Sequence, residues 1–147
     1  AVFTVVREHA AGLHGAAFAD DPAGYGDDLA ELLRMPPVTA EKLAWAREEL
    51  ARVREQVRAA LETVDVLCSA TEPVVAPPIG AIRLPLGGAE RPIEDVLTRL
   101  TSLANAVGLP AITVPAPGTT GLPVGVQFLC AATRVPAMLR AAASLEV

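Results

Sequence analysis

A single lysine, Lys42, and three serines, Ser69, Ser102 and Ser144, are all that the 147 residues hold of two common nucleophiles, and no serine has a glycine beside it. Covalent catalysis needs a nucleophile, a base within hydrogen-bond reach and a third group that orients the base. No such set can be read from this chain. Aromatic residues are scarce at 3% against a hydrophobic fraction of 52%, so a core must be built from Ala, Val and Leu and needs extensive packing partners. Cysteine is equally thin. Two residues, Cys68 and Cys130, make no disulfide framework, and a reducing cytoplasm is the expected compartment. Each ends an apolar run and reads as a buried structural thiol. Basic residues are outnumbered by acidic ones, 12 to 17, for a net charge of −5, which excludes the clustered Lys and Arg of a nucleic-acid surface.

Long apolar runs are absent as well. Residues 100–133 contain no Asp, Glu, Lys or Arg, yet four prolines and four glycines between Gly108 and Gly125 would break a spanning helix, which needs about 20 unbroken apolar residues. No membrane role is expected. The apolar opening, 1–6, is too short for a signal peptide's core and runs at once into Arg7 and Glu8. His9 and His14 lie five apart, about 140° around a helix, so they do not share a metal site, and no metal or other cofactor is expected.

What is present reads as a helical half followed by a sheet. Residues 4–20 are Ala-rich and helical up to Asp20, Asp21 and Pro22; 27–35 form a short helix that Pro36 and Pro37 end. Thr39 then caps a helix over 39–64, in which Leu43, Ala46, Leu50, Val53, Val57, Ala60 or Leu61, and Val64 recur at steps of three and four. Its other faces carry five basic residues and five glutamates, with Glu48 and Arg52 at the favourable i,i+4 spacing. Such a stripe suits a helix lying across a sheet; it also suits a dimerising coiled coil.

A strand at 64–68 follows, then a proline-rich crossover over 73–92 read as a loop, because proline cannot donate to a ladder. Gly87 and Gly88 mark a turn and, with no Gly-Lys-Ser/Thr after them, no phosphate loop. A helix is expected over 93–107, with Pro92 in its first turn. Strands at 111–114 and 124–129 lack clean alternation and read as buried on both faces of a central parallel or mixed sheet. Gln127, polar in an apolar strand, requires a buried partner or a cavity, and a partner is the expectation. A last helix opens at Val135 or Pro136 and runs to Leu145, with Met138, Leu139, Ala142 and Leu145 inward and Arg140 exposed. The class is α/β, in one piece over 1–147: mainly helical in 1–64, with core strands, crossover and final helix in 65–147.

Thr101, Asn105, Gly108, Pro110 and Ala111, followed by Gly121, Pro123, Gly125 and Gln127, form T-x-x-x-N-x-x-G-x-P-A and G-x-P-x-G-x-Q. Upstream, 65–80 reads DVLCSATEPVVAPPIG. Together these resemble the C-terminal part of the amidase signature family. Glu8 and His9 are similar to a helical pair in the same region and fix register only. Residues Ala70, Glu72 and Cys130 depart from the proline, the small or hydroxylic residue and the glycine usual in that family.

The resemblance implies a C-terminal portion of a mixed sheet covered by helices, completing the sheet and walling the substrate cavity of an enzyme that hydrolyses amides. Its Ser nucleophile, bridging Ser on a cis peptide and Lys base belong to a Gly/Ser-rich segment that is absent here. No catalytic residue is therefore assigned, and the isolated chain is expected to be inactive. Thr98, Arg99, Thr101 and Asn105 are the candidate cavity residues by position, although Thr101 and Asn105 can equally hold the neighbouring turn through backbone hydrogen bonds. The implied partners are the missing N-terminal catalytic portion and a small-molecule amide. The A-type component of an amidotransferase is similar in this region. A reading of another class is a structural module that self-assembles into a homo-oligomer through helix 39–64.

Overall fold

The computed structural model describes residues 1–118 and 121–145; Thr119 and Thr120, inside the uncharged stretch, and the last two residues of the expected single piece lie outside the described residues. The chain divides into two compact units, Ala1–Val53 and Arg54–Val147.

The first unit is helical. Helix α1 (Val2–Asp20) packs on α2 (Asp27–Arg34), and a short 3₁₀ turn at Pro22–Gly24 links them. Proline at the head of that turn stops α1 where the sequence indicates. Asp27 and Asp28 sit in the first turn of α2 and Arg34 in its last, each matching the sign of the helix dipole. Around the link, the Tyr25 ring meets Phe18 edge-on at 5.4 Å and His14 at 5.8 Å, while the Arg34 guanidinium lies 5.5 Å from the centre of the Phe18 ring. Arg7 Nη2 donates to Pro36 O at 2.6 Å, tying α1 to the segment after α2.

Helix α3 (Ala40–Thr63) begins in the first unit and ends in the second. Lys42 N donates to Thr39 Oγ1 at 3.3 Å, so Thr39 caps the helix as read from the sequence. Along the stripe Ala46, Leu50 and Val57 are buried. The surface pairs differ from expectation: Arg52 bonds Glu49, one residue nearer than Glu48, and Arg58 bonds both Glu55 and Glu62.

The second unit holds two sheets. Strands β1 (Leu67–Ala70), β4 (Ala111–Pro115) and β5 (Gly125–Leu129) form one, in the order β1-β5-β4; β2 (Arg83–Leu86) and β3 (Ala89–Pro92) form the other. Every pairing among the described residues is antiparallel, whereas the expected sheet is parallel or mixed. Helix α6 (Val135–Ala143) covers one face of the larger sheet, where Val114, Phe128, Cys130, Met138 and Ala142 make the core. The other face is open along the edge strands, while Gln127 and Leu129 of the central β5 are buried on it. Ala111, Thr113 and Pro115 of β4 and Ser69 of β1 are exposed, so β4 alternates cleanly and is not buried on both faces within this chain. Cys68 is exposed too, because β1 is an edge strand with a neighbour on one side only. Leu139, expected inward, is half exposed, while Met138 and Ala142 are buried as expected.

The crossover contains structure that the sequence reading leaves out. Pro85 pairs with Glu90 and Pro92 with Arg83 across a hairpin whose turn glycines, Gly87 and Gly88, have φ of 62° and 79°. In a two-stranded ribbon each strand has a free edge, so a residue without an N–H can be placed on the side that needs no donor. The expected helix over 93–107 is two helices, α4 (Ile93–Leu97) and α5 (Ser102–Val107). At the break Thr98 donates twice to Glu94 O, from its N–H at 3.0 Å and from its hydroxyl at 2.7 Å, and Arg99 N turns to Val96 O at 3.3 Å, a tighter i to i−3 bond. Helix α4 packs on the hairpin and buries Val96 completely.

Candidate functional site

The residues that the sequence singles out sit on α4, α5 and the break between them. Thr98 and Arg99 are exposed at the end of α4, Thr101 is half-buried at the N-cap of α5, and Asn105 is exposed on α5. Thr101 and Asn105 are four apart and so share a helix face. Their side chains make no hydrogen bond among the described residues. The turn is held by backbone alone: Gly108, at φ 68°, and Leu109 both donate to Ala104 O, at 2.9 and 3.3 Å.

Across the larger sheet the pairing sets Ser69, Gln127 and Thr113 side by side, on the face away from the core. Thr71 N donates to Gly125 O at 2.9 Å, and Thr71 Oγ1 donates to Thr113 Oγ1 at 3.2 Å. Gly125 permits this closeness, since a Cβ there would stand 2.7 Å from Thr71 Oγ1. Gln127 is only 6% exposed, and among the described residues its amide has no hydrogen-bond partner, contrary to the expected buried partner. One residue beyond Thr71, the Oε2 of Glu72 is buried without a partner, and burial pushes its carboxyl above the usual range. Burial likewise raises the Cys130 thiol.

A groove of ≈ 340 Å³ lies elsewhere in the second unit, over Leu61, Val107, Leu109 and Ala131 and beside Arg54 and Arg58. None of Thr98, Arg99, Thr101 and Asn105 lines it. Arg54 Nε is already committed to Ala106 O at 3.1 Å, and Arg58 to its two glutamates. No local sequence signal marks this groove, because its walls come from α3, the end of α5 and the segment after β5, which no motif connects.

The serine hydroxyls are all used locally: Ser69 on Ala70 O at 3.0 Å, Ser102 on Arg99 O at 3.4 Å and Ser144 on Ala141 O at 2.7 Å. Lys42 is exposed on α3. Among the described residues no group of three His, Cys, Asp or Glu side chains could hold a metal ion, and no helix is long and apolar enough to cross a membrane. Among the described residues the arrangement offers hydrogen-bonding surface and no assembled nucleophile.

The family model described as Amidase matches residues 30–134. The chain belongs to the amidase family. Within it, the chain is 34% identical to the A-type component of the glutamyl-tRNA(Gln) amidotransferase of Halobacterium salinarum, over 88% of this chain and 31% of that protein. It is 35% identical to a fatty acid amide hydrolase of Oryza sativa subsp. indica, over 59% of this chain and 14% of that protein. A crystal structure of an amidase superposes with a TM-score of 0.85 at 28% identity, covering 98% of this chain and 33% of that one. The structure of 6-aminohexanoate cyclic dimer hydrolase follows the same path with a TM-score of 0.68 at 25% identity, over 97% of this chain and 33% of that chain. The chain therefore spans about a third or less of the amidase relatives it matches. That likeness covers α1, which the family model leaves out, and it bears out the α/β amidase fold expected from the motifs.

Proposed function

We propose that this chain supplies the sheet-completing and cavity-wall portion of an amidase, which cleaves the C–N bond of a small-molecule amide. The observation that carries the reading is the superposition of 98% of the chain on one third of an amidase of known structure. The engaged serines support a division of labour in which the nucleophile comes from another polypeptide portion. In that scheme a Ser hydroxyl attacks the amide carbon with its proton passing through a bridging Ser to a Lys base; the leaving amine takes a proton, and water releases the acyl group. This chain contributes Thr98, Arg99, Thr101 and Asn105 to the wall of the cavity, in a cytoplasmic enzyme.

The similarity to the A-type component of an amidotransferase over 88% of the chain favours a second reading, in which the amide cleaved supplies ammonia to another polypeptide of the same complex. Self-assembly through the α3 stripe has less support, since Ala46, Leu50 and Val57 are already buried by the chain itself.

Native mass spectrometry of the purified material, followed by an amide-hydrolysis assay, tests the proposal. The expected result is association with a larger polypeptide that carries the Ser and Lys, activity in that complex, and none in the 15.2 kDa chain alone. Amide hydrolysis by the chain alone, or no hydrolysis by its complex with the polypeptide that carries the Ser and Lys, would overturn it.

A further inference from the structure

We draw no further inference here: the strongest candidate, the polar face of the three-stranded sheet where Ser69, Gln127 and Thr113 stand side by side, carries nothing because nothing in the structure shows what covers it.

Discussion

Gly125 is the residue whose replacement should be felt most directly. A methyl group there would lie 2.7 Å from Thr71 Oγ1, 2.9 Å from Thr71 Cβ and 3.0 Å from Thr113 Cγ2, so the strands must part or the hydroxyl pair must break. Gly125→Ala should cost about 1–3 kcal/mol, read as a lower urea midpoint. The same change in a Thr71→Ala background should cost clearly less, because the two sites share one contact. The cysteines should separate by reactivity. Cys130 is wholly buried and its thiol is raised, whereas Cys68 is exposed. One equivalent of a maleimide should add to the native chain, at Cys68, and a second only in denaturant; prompt labelling of both would contradict the burial. Glu72 gives a pH signature. Its carboxyl is raised in the folded chain, so folding binds a proton more tightly, and the cost of ionising it grows as pH rises through that range. Glu72→Gln should therefore stabilise the chain near neutral pH, and the gain should vanish below about pH 4, where both forms are uncharged.

At the scale of elements, α3 separates the two assembly readings. Leu50 is 8% exposed within the chain, so Leu50→Ala should cost about 2–5 kcal/mol, and Leu50→Glu should abolish cooperative unfolding. A helix that served as a dimer seam would instead dissociate into folded monomers on the same change, which sedimentation and circular dichroism together would reveal. Trp45, 53% exposed on the same helix, should tolerate Ala with little loss. This helix was legible because its apolar spacing and its Thr39 cap are local signals that agree. The β2–β3 hairpin was not: Pro85 and Pro92 argue against strands until the partner is known, and only the pairing reveals that each strand keeps a free edge. The split of 93–107 into α4 and α5 leaves no mark in the apolar spacing, since it consists of tighter backbone bonds, Arg99 N to Val96 O and Leu103 N to Leu100 O, between the two helices.

For the whole molecule, the larger sheet has open edges at β1 and β4 among the described residues. Unpaired strand edges invite a neighbour. The chain by itself should associate as its concentration rises, with a sedimentation coefficient that increases across the range; a strictly constant monomer value would mean that Pro110, just before β4, and Pro115, its last residue, are enough to blunt that edge.

The amino-acid sequence by itself determined the helical first half, the places of β4 and β5, and the family, because periodic apolar spacing, proline and glycine punctuation and the two motifs around Asn105 and Gln127 are properties of short stretches. Only the tertiary structure decided which faces are covered, that the strands pair antiparallel, that Cys68 is exposed while Cys130 is buried, and that Ser69, Thr71, Thr113 and Gln127 gather on one face. The β4–β5 pairing joins nearby segments, but Ser69 and Thr71 depend on register with segments some 40 to 60 residues away, since β1 must meet β5 across the hairpin, two helices and β4 before these side chains become neighbours.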